Sequence, residues 1–274
     1  MKAEQARVLL TGACGGIGRA SVDVLLAAGA SVLLVGRDPV KLQQLMAHSA
    51  QRHEGAAARL AWQCADLQSD QDIAALAGVA ADWGCNVVVH GAGVPAFAPL
   101  PSLDAATLRG LMQTNLLAPM LLTQSLLTHL MRLPKAQIIC VGSALGRIGL
   151  PGFSAYCASK FGLRGFAEAL RREVADTGVL VQYLGPRSTR TEFNDAAVQA
   201  YNQATKTAMD APERVARELL SLLVHETPER FIGFPEVLAV RLNGLLGAAM
   251  DGAFVKHGRS LGRPAVPQRP VTNS

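Results

Sequence analysis

No stretch of this chain is strongly basic, which argues against nucleic acid as a partner. The 26 Lys and Arg outweigh 21 Asp and Glu by a net charge of +5, but the arginines are scattered and do not interleave with aromatics. A phosphate-tracking surface is therefore not expected. Paired cysteines are also missing. The five at 14, 64, 85, 140 and 157 are odd in number and form no Cys-x-x-Cys, which reads as reduced thiols, no metal site and a cytoplasmic setting. Nor is there a membrane-length apolar run. The longest, 116–133, is broken by Pro119, Thr123, Gln124, Ser125, Thr128 and His129, as in a buried or interface helix. Met1 lies only a few residues ahead of a strand-like run, so no signal peptide is expected. A Gly-x-x-x-x-Gly-Lys-Ser/Thr loop is absent, against a nucleotide kinase or ATPase.

Half of the 274 residues are hydrophobic and 17% are charged, enough to bury a sizeable core. Short apolar runs at 7–11, 31–35, 59–64, 86–90, 137–141 and 179–184 read as strands, with a last one at 230–233. Helical patterns alternate with them at 17–28, 70–83, 105–133, 155–175 and 213–225, with Pro119 as an interruption of the long one. Another helix opens at Asp38-Pro39, Asp as N-cap and Pro in the first turn. Such alternation predicts an α/β domain, a doubly wound parallel sheet of about seven strands with helices on both faces. That domain spans 1–233. From 234 to 257, apolar residues including Leu238, Leu242, Leu246 and Phe254 recur at helical spacing. They predict an amphipathic extension that packs on the domain or a sister subunit, with weak membrane-surface contact as the other reading. Residues 258–274 read as a flexible tail.

Two local patterns carry chemistry. Thr11-Gly-Ala-Cys-Gly-Gly-Ile-Gly18 follows the first strand and opens the first helix. Glycines there allow positive φ and let a pyrophosphate approach backbone N–H groups at the positive end of a helix. Tyr156 and Lys160 stand four apart on a helical pattern, so they share a face. An ammonium beside a phenol favours the phenolate, and moving its pKa to neutrality takes about 4 kcal/mol. The pair alone is equally compatible with an exposed Tyr and a solvated Lys.

Together, the glycine spacing and Tyr156-x-x-x-Lys160 resemble the short-chain dehydrogenase/reductase family over roughly residues 7–234. The resemblance implies a Rossmann-like fold and an NAD(P)-dependent oxidoreductase acting on CH–OH groups. It implies catalytic roles for four residues: Tyr156 as acid/base, Lys160 lowering the Tyr pKa and holding the nicotinamide ribose, Ser143 polarising the carbonyl, and Asn115 anchoring a water. Cofactor contacts carry over to Gly12, Cys14, Gly15, Gly16, Ile17 and Gly18 in the turn, to Asp66 and Leu67 at the adenine, and to Gly91, Ala92 and Gly93. Pro186, Thr189 and Thr191 would lie by the nicotinamide, alongside Tyr156 and Lys160. Two departures stand out. His90-Gly91 occupies the place of two Asn, with His90 read as structural, and Arg187 replaces a Gly. A homodimer or homotetramer is also implied.

Cofactor choice turns on Gly36-Arg37-Asp38. Arg37 can pair with a 2′-phosphate, while Asp38 is committed to capping a helix, so NADP(H) is favoured over NAD(H). The loops that would wall the substrate, 94–100, 144–153, 187–212 and 234–254, are mostly apolar, with Arg147, Arg187, Arg190 and Lys206 as possible anion partners. That composition suits a hydrophobic carbonyl or alcohol. A catalytically silent nucleotide-binding regulator of the same fold is the alternative.

Overall fold

The computed structural model describes residues 1–233, 243–244 and 246–261. Short Val/Leu/Ile-rich runs become β1 (Arg7–Thr11), β2 (Ser31–Gly36), β3 (Leu60–Cys64), β4 (Val87–His90), β5 (Ala136–Val141), β6 (Val179–Gly185) and, at one edge, the shorter β7 (Glu229–Phe231). All pair in parallel in the order β3-β2-β1-β4-β5-β6-β7. Alternate residues feed opposite faces. Val8, Leu10, Val32 and Leu34 pack under α1 (Gly16–Ala27), α2 (Pro39–Arg52) and α8 (Pro212–His225). Leu9, Leu33, Val88 and Ile138 pack under α3 (Asp70–Asp82), α5 (Ala118–Met131) and α6 (Ser154–Glu173). Both faces are covered, so the strands are apolar throughout.

The chain runs outward from β1 to β3, then returns to place β4 on the other side of β1. Connections diverge there, opening a crevice at the carboxyl ends of β1 and β4. Thr11 ties the two ends together. Its hydroxyl accepts from the N–H groups of Gly91 and Ala92 at 3.1 and 3.2 Å.

Most predicted elements form with ends shifted by one or two residues. Asp38 caps α2 as read, accepting from the N–H groups of Val40 and Lys41. Two readings differ. The 105–133 helix does not break at Pro119, which sits in the first turn of α5 where its missing N–H costs little. The interruption is instead a π turn, Gln113–Leu117, after α4 (Ala105–Met112). A further helix, α7 (Ala196–Thr205), lies within the stretch read only as a substrate loop. In the C-terminal extension the described residues include a 3-10 stretch, Gly247–Phe254, and the short α9 (Val255–Ser260). Leu238 and Leu242, and the tail beyond 261, lie outside the described residues. Among the described residues no helix is long and apolar enough to cross a membrane.

Candidate active site

A cleft of about 660 Å³ lies over the crevice. At one end is the glycine turn. Gly12 has φ +72°, and a Cβ there would sit 2.8 Å from the Ala92 backbone. A Cβ on Gly18 would come within 2.2 Å of the Gly12 carbonyl oxygen. Only glycine permits this turn. The N-cap of α1 is Gly15, which has no side chain to cap the helix, so the first-turn N–H groups remain available for an anion. This cradle fits the pyrophosphate of a dinucleotide. Cys14, Gly15, Gly16 and Ile17 line it, as do Arg37, Asp66 and Leu67 further along, Gly91, Ala92 and Gly93 beneath, and Pro186, Thr189 and Thr191 opposite.

At the second strand end, Arg37 is exposed, and its side chain has no hydrogen-bond or ion-pair partner among the described residues. Asp38 is held by its two capping bonds and lies 4.0 Å from Lys41 Nζ. Asp66 Oδ1 accepts from the Gln68 N–H at 3.0 Å.

The chemical end is built by α6 and the end of β5. Tyr156 and Lys160 are both buried, with Lys160 Nζ 5.7 Å from the Tyr156 ring centre. Nζ donates to the Val141 carbonyl at 3.3 Å. Burial pushes Lys160 down from 10.5 to about 8, leaving it mostly an ammonium at neutral pH. Burial pushes the Tyr156 phenol above its ordinary value, opposed in part by the Ser143 hydroxyl. The expected lowering of this phenol by Lys160 is not seen in the protein alone. The amine sits by the ring and engages Val141, so desolvation wins. Ser143 caps a 3-10 turn, its Oγ accepting from the Leu145 N–H at 3.1 Å.

Asn115 stands apart. It is fully buried in the π turn and does not line the cleft. Its Oδ1 accepts from the Val94 N–H at 2.8 Å, and its Nδ2 donates to the Val94 carbonyl and to Ser159 Oγ at 3.0 and 3.2 Å. A π turn in a helix is a frequent marker of a functional position, and here it turns Asn115 towards Gly93, Val94 and α6. His90 bonds Thr123 Oγ1 at 2.8 Å, and burial pushes it down to about 4, a neutral structural histidine.

Of the four possible anion partners, only Arg187 lines the cleft. It pairs with buried Asp210 at 2.9 Å, and Asp210 also takes Arg214 at 2.8 Å. Arg147 pairs with Glu229, and Arg190 donates to the Met209 carbonyl. Asp210 had no sequence signal, being 23 residues from Arg187.

Aromatics are scarce in this chain, 13 in all, and they collect here. Phe153 lies edge-on to Tyr156 at 6.3 Å, as does Phe193 at 6.0 Å, while Phe97 packs tilted against Phe153 at 4.7 Å and Tyr201 edge-on to it at 5.7 Å. The C-terminal segment closes over this cluster. His257 Nδ1 and the Tyr201 hydroxyl are hydrogen-bonded at 2.7 Å, and Phe254 packs with Ala144 and Ile148.

A nucleotide cradle at a switch point, leading to a buried Tyr–Lys–Ser set, defines a dinucleotide-dependent oxidoreductase. The chain belongs to the short chain dehydrogenase family, whose model matches residues 6–202, and so is an NAD(P)-dependent oxidoreductase of CH–OH groups. It is 30% identical to dehydrogenase/reductase SDR family member 7B of Danio rerio, over 78% of this chain and 72% of that protein. It is 29% identical to the 3-oxoacyl-[acyl-carrier-protein] reductase FabG of Haemophilus influenzae, over 68% of this chain and 75% of that one. Among solved structures, a metagenomic short-chain oxidoreductase in complex with NADP aligns with a TM-score of 0.69 and 29% identity, covering 84% of this chain and 98% of that one.

Proposed function

We propose that this protein reduces a ketone or aldehyde on an apolar small molecule, with NADP(H) as the favoured cofactor. The observation that carries the reading is a buried Tyr156 phenol that lines the cleft with Ser143 and Lys160 and is flanked by Phe153 and Phe193. A bound reduced nicotinamide supplies the hydride. The chain's own residues do the rest. Ser143 donates to the substrate oxygen where negative charge develops. Tyr156, protonated at neutral pH, gives that oxygen its proton, and Lys160 as an ammonium stabilises the phenolate left behind. Asn115 fixes the Val94 backbone and α6 around this group. The phenyl rings exclude water and favour an apolar body on the substrate.

The cofactor preference rests on Arg37, which is unpaired at the cleft, and on Asp38, which is occupied as a cap. A charge-assisted bond to a 2′-phosphate is worth about 1.5–3 kcal/mol. Arg37→Ala is therefore expected to weaken NADPH binding roughly tenfold to a hundredfold and leave NADH within about twofold. Equal losses for both nucleotides would remove this argument. Exposed Met112, Leu117, Met120 and Phe161 on α4, the π turn, α5 and α6 support a homodimer or homotetramer, measurable by sedimentation.

The reaction is tested by following NADPH consumption with a series of apolar ketones. Tyr156→Phe should keep its fold and nucleotide binding but lose about 10²–10⁴-fold in kcat. Equal turnover by the two proteins would sink the assignment of Tyr156, and nucleotide binding without any turnover would favour a silent regulator.

A further inference from the structure

Ser143 sits just past the end of the pairing that should hold it. The β5–β6 ladder continues beyond Val141: Gly142 N–H donates to the Leu184 carbonyl and Ala144 N–H to the Pro186 carbonyl, both at 2.8 Å. Alternate residues of a strand bond to opposite neighbours, so the N–H and C=O of Ser143 face away from β6. The strand on that side, β4, stops at His90, opposite Cys140. The Ser143 carbonyl accepts from the Gly146 N–H at 3.0 Å, but no backbone group reaches its N–H, which would be left unsatisfied at a position that sets where the Ser143 hydroxyl points.

One side chain supplies the missing bond and adds a second to the carbonyl. The Tyr183 hydroxyl accepts from the Ser143 N–H at 3.0 Å and donates to the Ser143 carbonyl at 2.9 Å. Tyr183 is fully buried in β6. Its ring reaches Ser143 through a notch made by two glycines. A Cβ on Gly142 would lie 2.1 Å from the Tyr183 hydroxyl, and one on Gly146 would lie 2.2 Å from it. Neither glycine has positive φ, so space for the phenol, not backbone conformation, explains them. We propose that Tyr183 is a positioning residue: its hydroxyl takes the place of a strand partner and fixes the Ser143 backbone, and through it the direction of the Ser143 hydroxyl. The proposal rests on the role given to Ser143 above.

Tyr183→Phe tests it, because the ring still fills the notch and only the hydroxyl is lost. Two readouts apply. Without any substrate, hydrogen exchange of the peptide spanning 141–146 should quicken at least tenfold in Tyr183→Phe, while β1 and α8 keep their protection. Unchanged exchange there would overturn the proposal. With 4-phenyl-2-butanone and NADPH, kcat should fall by about 10²-fold, as for a small displacement of a reacting group, with KM for NADPH within about twofold. Ser143→Ala and the double variant separate the two ideas. If Ser143→Ala keeps full kcat, the reading of Ser143 fails. If Ser143→Ala is impaired and Tyr183→Phe lowers kcat by the same factor in both backgrounds, Tyr183 acts elsewhere and the proposal fails. It holds if the Tyr183→Phe loss disappears once Ser143 is gone.

Discussion

Replacing Lys160 should make this protein more stable near neutral pH while disabling it. The amine is 4% exposed and its ordinary value of 10.5 falls to about 8. A shift of that size corresponds to about 3 kcal/mol of disfavour for the charged form in the fold. The only hydrogen bond that Nζ donates within the described residues goes to Val141 at 3.3 Å, worth about 1 kcal/mol. Lys160→Met removes both the penalty and the bond, so at pH 7 the variant should gain about 2 kcal/mol. The pH dependence follows from the unfolded chain binding the proton between pH 8 and 10.5 while the folded one releases it. Wild-type stability therefore climbs through that window. The advantage of Lys160→Met should shrink from pH 8 upward and reverse to about 1 kcal/mol against it near pH 10.5. Denaturant melts of both proteins at half-unit steps from pH 6.5 to 10.5 measure the difference, and turnover measured in parallel should be lost. A difference that stays flat across the window, or a variant less stable at pH 7, would refute burial as the cause of the shift.

Two further outcomes follow from the same geometry. His90, neutral and pushed down to about 4 from 6.5, contributes stability that is present above pH 6.5 and lost as pH falls towards 4, about 3 kcal/mol in all. His90→Gln should flatten the acid limb of the stability profile between those values. Gly18→Ala would drive a methyl to 2.2 Å from the Gly12 carbonyl oxygen. Nucleotide binding measured by calorimetry should be lost in that variant, even where circular dichroism shows the sheet retained.

Much of the nucleotide side was legible because its signals are local. The glycine turn, Asp38 with Pro39, and Tyr156 with Lys160 each lie within a few residues, where backbone geometry and helical periodicity decide the outcome. The parallel sheet covered on both faces needed only the alternation of strand and helix patterns. What escaped depends on tertiary meeting. Tyr183 and Ser143 are 40 residues apart, most partners in the aromatic cluster are also far apart in sequence, and no period joins them. Gly142 and Gly146 around Ser143 were the available signal, two small residues at a strand end making room for something large. The π turn was missed for another reason: Pro119 is a conspicuous helix breaker, but in a first turn it breaks nothing, whereas Asn115, Leu116 and Leu117 are unremarkable helix formers.

The resemblance gives Lys160 the task of lowering the Tyr156 pKa, and in the protein alone burial acts on both groups. The same burial that makes an apolar, aromatic-walled pocket raises the phenol and lowers the amine. An apolar substrate site and a strong acid are thus in conflict here, since every phenyl ring packed on Tyr156 adds desolvation. Among the described residues, the group that acts against it is the Ser143 side chain. That hydroxyl is aimed by Leu145 and by its own backbone, and the backbone is held by Tyr183 through a notch that Gly142 and Gly146 leave open. Under the proposed role of Tyr183, the help that Ser143 gives Tyr156 therefore depends on two glycines and a tyrosine outside the catalytic set. Enlarging either glycine should act on the chemistry as a change in Ser143 would, with the nucleotide end of the cleft left intact.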